Sequence, residues 1–229
     1  MNDFSIEKPV PYYEQFYHSI KKMIFEGKFK PGERIIENKL AKEFNVSKSP
    51  IRQAIRILEK EGLLVLDDKS RLIVYKPTLK DVEEIYFCRM ALESFAVEFI
   101  TKIVKDDELE HIENVLLETE NAIINSLEDV KIIGLNVLFH NLIIKYTLNN
   151  RLKKQLDDLK SLTYYFRILN FQGENRAVSI LNQHREIFNH IKNRDEKKAS
   201  KAMRAHLQLD LDHLIEVLSK QVEPDSNGD

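Results

Sequence analysis

The spacing of apolar and polar positions divides the chain into two kinds of segment. Between Pro31 and Gly62 the apolar residues come in short bursts: Leu40, Ala41 and Phe44 predict a short amphipathic helix over Glu37 to Phe44, and Ile51, Ala54, Ile55 and Leu58 predict a second. Pro31 and Gly32 break the helix before them, and Asn45 and Val46 form the connection. Ser47 or Ser49 can cap the second helix by accepting a hydrogen bond from its free N–H groups, and Pro50 suits the first turn, where its missing N–H costs nothing. Past Lys76-Pro77 the chain turns almost wholly helical in pattern, with few Gly or Pro until a polar tail after Gln221. Six helices are predicted there, at about 79–104, 106–126, 129–147, 149–171, 174–193 and 195–220. Leu135, Leu138, Phe139, Leu142 and Ile143 mark a buried stripe, and Asp195 is an N-cap candidate for the last helix. The expected fold class is mainly α, with a helix-turn-helix unit over 1–76 and an all-α bundle over 77–229.

Polar positions of the second short helix give the first functional signal. Lys48, Arg52, Gln53 and Arg56 fall at or near the face opposite its apolar stripe. In a helix-turn-helix the second helix enters the major groove N-terminal end first, so its opening turns meet base edges while flanking basic groups meet phosphates. Arg52 is the candidate for base reading, because a guanidinium fork on guanine is worth roughly 1–3 kcal/mol of discrimination. Lys48 carries charge without a planar fork and suits the backbone. A helix pair inside any all-α protein, with its arginines merely solvated, has the same spacing.

The segment IFEGKFKPGERIIENKLAKEFNVSKSPIRQAIRILEKEGLL resembles the winged helix-turn-helix of the GntR family of bacterial transcription regulators. The PGERI lead-in, the LAKEF-V-S turn, the SPIRQAI opening of the recognition helix and the L-x-x-EGLL exit all stand at that family's spacing. The resemblance implies that Lys48, Ser49 and Arg52 contact double-stranded operator DNA, that Asn38 falls where relatives often place an arginine, and that Leu64 to Tyr75 form the wing. Relatives usually carry a glycine at the wing tip. This chain has Asp67, Asp68, Lys69, Ser70 and Arg71 there, so wing contact rests on Lys69 and Arg71. Lys48 is a second departure, with a shifted sequence preference as its expected effect.

Charge adds an asymmetry. The net charge of −2 combines residues 1–76, with 15 Lys+Arg against 11 Asp+Glu, and residues 77–229, with 20 against 26. A basic head suits phosphate attraction, and an acidic body discourages DNA from wrapping around the remainder. At 229 residues, two domains are expected. No apolar run approaches the length of a membrane span, and MNDFSIEKPVPYY lacks the apolar core of a secretory signal, so a cytoplasmic location and no membrane partner are expected. The single cysteine, Cys88, excludes an intramolecular disulfide, and Ile85, Tyr86, Phe87 and Leu92 around it point to a packed thiol.

Histidines carry the candidate chemistry of the body. Asn136 and His140 stand at i and i+4, on one helical face that also holds inward-pointing apolar residues. His184 and His206 lie on the next two long helices, framed by Ile180, Leu181, Ile187, Phe188 and Ile191 and by Met203, Leu207 and Leu211. Three imidazoles converging from three helices suit a divalent metal. Three separately satisfied core histidines fit the same pattern.

The body also resembles the FCD domain, the helical effector-binding domain of FadR-type GntR regulators. IYFCRMALESFAVEFI is similar to its opening helix, N-V-L-FHNLI to its middle signature and NQHREIFNHIKNRDEKKASKAMRAHL to its closing one. By that resemblance Asn136, His140, His184 and His206 inherit ligand positions for a divalent metal, zinc or nickel. Asn136, where the family has aspartate or asparagine, is a weaker oxygen donor than a carboxylate. Arg89 matches a family arginine that can meet a small carboxylate effector, or can salt-bridge to Glu93 at i+4. Tyr164, Tyr165 and Arg167 can line the same cavity but suit the core equally, and stay outside the expected site. The resulting expectation is a homodimeric regulator, a repressor, whose operator binding responds to an organic acid held near the metal. Two alternatives accompany it: a hydrolase-like helical metalloenzyme tethered to DNA, for which Glu186 at i+2 from His184 is a poor base, and a structural dimer with no metal.

Overall fold

In the computed structural model, which describes residues 10–222, the chain divides between Pro77 and Thr78 into two compact units. The stretch ahead of Val10, most of the segment read for a signal sequence, and the polar tail from Glu223 lie outside the described residues.

The first unit contains α1 (Tyr12–Phe25), α2 (Glu37–Glu43), α3 (Lys48–Lys60) and an antiparallel ribbon of β1 (Leu64–Leu66) and β2 (Leu72–Val74), with Leu64 opposite Val74 and Leu66 opposite Leu72. Its core is built from Phe16, Ile20 and Ile24 of α1, Leu40 and Ala41 of α2, and Ile51, Ala54, Ile55 and Leu58 of α3, all buried. The apolar bursts thus set the inward faces. Pro31 does not end α1: the helix stops at Phe25, and Gly27 at φ 70° turns the chain, a left-handed conformation that glycine adopts without steric cost. Asn45 at φ 52° makes the turn between α2 and α3. Ser47 holds the N-cap position of α3, but its hydroxyl makes no capping hydrogen bond, and Ser49 lies exposed inside the first turn.

Among the described residues the second unit is wholly helical: α4 (Leu79–Ile103), α5 (Asp106–Ile124), α6 (Asp129–Tyr146), α7 (Asn150–Asp158), α8 (Lys160–Asn170), α9 (Arg176–Lys192) and α10 (Glu196–Val222). Thr78 and Asp81 form a reciprocal capping box that starts α4, each side chain accepting from the other's backbone N–H. The expected helix over 149–171 is two helices broken at Leu159, a joint without Gly or Pro to announce it. Gly173 at φ 112° and Asn175 at φ 58° delay α9 to Arg176. Asp195 stands just ahead of α10, its carbonyl accepting from Ala199 N–H while its carboxylate pairs with Lys198 at 3.0 Å.

Helices α4 and α10 pack along one another, with α6 and α9 against them, so four helices enclose the centre of the unit. The buried stripe of α6 is Ile132, Ile133, Leu135, Asn136, Phe139, His140 and Ile143; Leu138, expected in it, is exposed, because the stripe turns toward α4 and α5. Cys88 is also exposed, contrary to the packed thiol expected, since its immediate neighbour Phe87 faces outward with it.

Candidate metal centre and reading face

The three histidines meet in the centre of the helical unit. His140 on α6, His184 on α9 and His206 on α10 are all buried, and one nitrogen from each lies within 4.8 Å of the others. His206 Nε2 is 3.3 Å from His184 Nε2 and 3.4 Å from His140 Nε2. Two nitrogens on bonds of roughly 2.1 Å at a tetrahedral angle stand about 3.4 Å apart, so these two spacings suit donors shared by one metal ion. Phe139 stacks on the His184 ring at 4.0 Å and fixes its plane.

Partners on the opposite ring nitrogens determine what those Nε2 atoms offer. His140 Nδ1 donates to Glu93 Oε2 at 2.5 Å, and His206 Nδ1 donates to Gln183 Oε1 at 2.7 Å. In neutral rings both Nε2 atoms are then bare acceptors, and their approach cannot be an N–H···N hydrogen bond. Two lone pairs face each other, an arrangement that a cation relieves. Burial, the largest cause, holds the rings neutral: it pushes His140 down to about 3 against the opposing pull of Glu93, and lowers His184 and His206 as well. Neutral imidazole is the form that binds metal.

Asn136 completes the fit. It is buried on α6 one turn before His140, and its Oδ1 accepts no hydrogen bond among the described residues. An orphaned buried carbonyl costs free energy unless something meets it. Three buried imidazole nitrogens within 4.8 Å of one another, with an unpaired amide oxygen one turn away on α6, are donors of the kind a divalent metal takes, so the residues present fit such an ion.

Beside the histidines lies a cluster of buried cations with donors to spare. Arg89 on α4 gives Nε–H to Glu93 Oε1 at 2.8 Å, and its guanidinium sits 4.7 Å over the Tyr86 ring. The expected i,i+4 salt bridge therefore exists, yet Nη1 and Nη2 have no hydrogen-bond partner among the described residues. Arg167 Nε and the Tyr86 hydroxyl are likewise buried and unpaired. Burial together with nearby Arg89 lowers Arg167 to about 10, which leaves it charged at neutral pH. Glu93 resists burial because Arg89 and His140 hold its carboxyl well below the usual range. A second ion pair, Arg176 with Asp210 at 2.5 Å, brings a carboxylate oxygen to 3.7 Å from His206 Nε2. Arg167, set outside the expected site, thus belongs to the same electrostatic neighbourhood as Arg89. Gln183 and Asp210 were missed; their positions at i−1 from His184 and i+4 from His206 were the available signal.

On the first unit, every residue expected to touch DNA is exposed: Asn38 on α2, Lys48, Ser49 and Arg52 on α3, Lys69 and Arg71 at the ribbon tip. Arg52 is held by Glu37, with Nε and Nη2 at 3.2 and 3.1 Å from one carboxylate oxygen. At the tip, Asp67 accepts from the backbone N–H of Lys69 and Arg71 and binds the Arg71 guanidinium at 2.5 Å. Ser70 takes φ 55°, the conformation a glycine would favour, and Asp67 stabilises the turn around it. Arg71 is therefore engaged in shaping the wing, and Lys69 is its outward cation.

Residues 12–74 match the bacterial regulatory proteins of the gntR family, and residues 84–209 match the FCD domain. The chain belongs to the GntR family of regulators. An HTH-type transcriptional regulator of Bacillus subtilis, YdhC, is 47% identical over 223 residues, covering 97% of this chain and 100% of its own. The gluconate operon transcriptional repressor of the same organism is 29% identical over 189 residues, covering 78% of this chain and 74% of its own. Among solved structures, Escherichia coli McbR/YncC superposes with a TM-score of 0.71 at 20% identity, over 94% of this chain and 100% of that one, a likeness of fold.

As a GntR-family transcriptional regulator with an FCD domain, the chain is not an enzyme, and the metalloenzyme alternative falls. Glu186, the base that alternative offered, is exposed on α9. Among the described residues no helix is long and apolar enough to cross a membrane.

Proposed function

We propose that this regulator is a homodimeric repressor whose two winged heads bind a near-palindromic operator, and whose helical unit holds a divalent metal, zinc or nickel, that receives a small organic acid. The observation that carries the reading is the meeting of bare imidazole nitrogens and an orphaned amide oxygen with unpaired guanidinium nitrogens in one buried region. His140, His184, His206 and Asn136 hold the metal; when bound, it supplies a positive centre and open positions for a carboxylate oxygen. Arg89, through Nη1 and Nη2, takes a second anionic group, with Arg167 and Tyr86 as further donors.

Charge sets the class of ligand. Arg89, Arg167 and Arg176 outnumber Glu93 and Asp210 among these buried groups, and the metal adds two positive charges with no ligand carboxylate to offset them. Neutralising that excess takes an acid with more than one anionic group, or one whose hydroxyl also ligates. A repressor of the gluconate operon stands among the relatives, which favours repression and sugar acids or related carboxylates as the first to test.

Thermal unfolding is followed with a panel of mono- and dicarboxylates and sugar acids, with and without zinc or nickel. A ligand at 100 times its Kd stabilises by about 2.7 kcal/mol, a readily measured shift. Shifts that require metal and vanish in His140→Ala support the reading. Metal content unchanged by His140→Ala refutes the ligand assignment.

A further inference from the structure

His140 and His206 are backed by groups of different chemistry. Behind His140 stands Glu93, whose carboxylate only accepts, so that neutral ring must carry its proton on Nδ1. Behind His206 stands Gln183 of α9, with Oε1 2.7 Å from Nδ1, and an amide can either accept or donate. Turning the Gln183 amide over presents its NH2 to Nδ1, and the proton of the neutral ring then sits on Nε2.

The surroundings of Gln183 serve both orientations. Its Nε2 lies 3.4 Å from the Ser179 hydroxyl, one turn back along α9. A hydroxyl accepts from an NH2 or donates to a carbonyl oxygen with equal ease. Ser179 is exposed and Gln183 half-buried, so the amide can turn without disturbing the core.

At the other end of the ring the two forms differ sharply. His206 Nε2 is 3.4 Å from the Nε2 lone pair of His140 and 3.7 Å from a carboxylate oxygen of Asp210. A bare Nε2 adds a third acceptor to that crowd, which suits a cation. A protonated Nε2 turns the same crowding into attraction, with no ion needed.

We propose that Gln183 is a positioning residue of the metal centre: its amide orientation sets whether His206 presents a lone pair to an ion or a proton to His140 and Asp210. The inference rests on the metal centre proposed above and names what governs its filling. The ring is neutral in both forms; the N–H bond at Nδ1 breaks, one forms at Nε2, and the proton exchanges with solvent. The site without an ion rests with the proton on Nε2, and filling it requires the amide to turn back. Glu93 imposes no such step at His140.

The test uses full-length, metal-stripped protein with 15N-labelled histidine, whose ring nitrogen shifts report which nitrogen carries the proton; the His206 signals are identified by their loss in His206→Gln. Zinc is the probe, a d10 ion that leaves the spectra readable, and its affinity is measured against a chelator. Wild type is compared with Gln183→Glu, which only accepts, and Gln183→Leu, which does neither, with thermal unfolding of each stripped protein to check folding. In stripped wild type His206 is expected to carry its proton on Nε2 and to move it to Nδ1 when zinc is added. Gln183→Glu holds the proton on Nδ1 without zinc and binds zinc about tenfold more tightly, whereas Gln183→Leu binds it at least about tenfold more weakly. A stripped wild type already protonated on Nδ1, or a folded Gln183→Leu protein that binds zinc as wild type does, overturns the role of Gln183 and leaves the metal centre standing. A wild type that binds no zinc counts against the metal centre instead, and the tautomers of the stripped proteins still decide the role of Gln183.

Discussion

Glu93 joins the two halves of the buried site, which makes Glu93→Gln its most informative perturbation. One carboxylate oxygen takes Arg89 Nε–H and the other takes His140 Nδ1–H, at 2.8 and 2.5 Å, in a residue 3% exposed. Glutamine keeps the shape but has one acceptor oxygen and one NH2. If its oxygen serves His140, the NH2 meets the Arg89 donor. If the oxygen serves Arg89, His140 must take the other tautomer, and its Nε2 then carries a proton where a lone pair is needed. Either way the charge that compensates Arg89 is gone.

Removing one partner of a buried ion pair costs about 3–5 kcal/mol. In a unit of roughly 150 residues, that lowers Tm by on the order of 10 °C. Altering the group that orients a metal-binding histidine costs a further ten- to a hundredfold in metal affinity, about 1.4–2.7 kcal/mol. Thermal unfolding of metal-stripped protein gives the first quantity, and zinc or nickel competition against a chelator gives the second. A variant that melts within about 2 °C of wild type and binds metal within twofold would refute both the charge argument and the tautomer argument.

The remaining expectations concern the head and pH. Arg52→Ala should weaken binding to DNA flanking the protein's own gene by about 1–3 kcal/mol and flatten its salt dependence; equal, sequence-indifferent binding by both proteins removes the base-reading role. Glu37→Gln frees Arg52 from a half-exposed ion pair worth at most about 1 kcal/mol, so operator affinity measured by anisotropy should rise by no more than about fivefold, and a fall would show that Glu37 positions Arg52 instead. For metal-stripped protein, His140 and His184 titrate lower when folded than unfolded, so the unfolded state gains protons first as pH falls. The stability they contribute is complete above about pH 6.5 and is lost toward the folded value of about 3 for His140; by pH 5.5 each loses about 1.4 kcal/mol, and urea unfolding with a flat profile from pH 7 to 5.5 contradicts neutral burial.

Much of the fold was legible because inward faces are written in apolar spacing. Leu40, Ala41, Ile51, Ala54 and Leu58 are buried where the pattern put them, and the helices of the second unit follow its long periodic runs. What escaped notice was set by backbone conformation or by which neighbour a face turns to. Leu159 interrupts a helix with ordinary residues on either side, and Ser70 and Asn175 adopt left-handed backbone that no glycine announces. Cys88 and Phe87 look like core beside Ile85 and Tyr86; only the helix phase separates the two pairs.

For the site, sequence spacing supplied the donors but not their state. The i,i+4 relation put Asn136 and His140 on one face, and three amphipathic frames pointed the histidines inward. Whether an imidazole offers a lone pair or a proton depends on the group behind it, and Glu93 and Gln183 come from other positions along the chain: one 47 residues from His140, the other 23 from His206. The Arg89–Glu93 pair shows the same limit in another form. At i,i+4 it reads as an ordinary helical salt bridge, complete in itself. Folded, it uses only Nε of Arg89 and passes the other carboxylate oxygen to His140, so one short motif both fixes a tautomer that leaves His140 Nε2 with a free lone pair and leaves two buried guanidinium nitrogens unpaired. Those unpaired nitrogens carry a desolvation cost that only an incoming acceptor removes. That is why the i,i+4 salt bridge and the effector role proposed for Arg89 are not competing readings: the bridge holds the arginine in place, and its unused nitrogens are what an anion would bind.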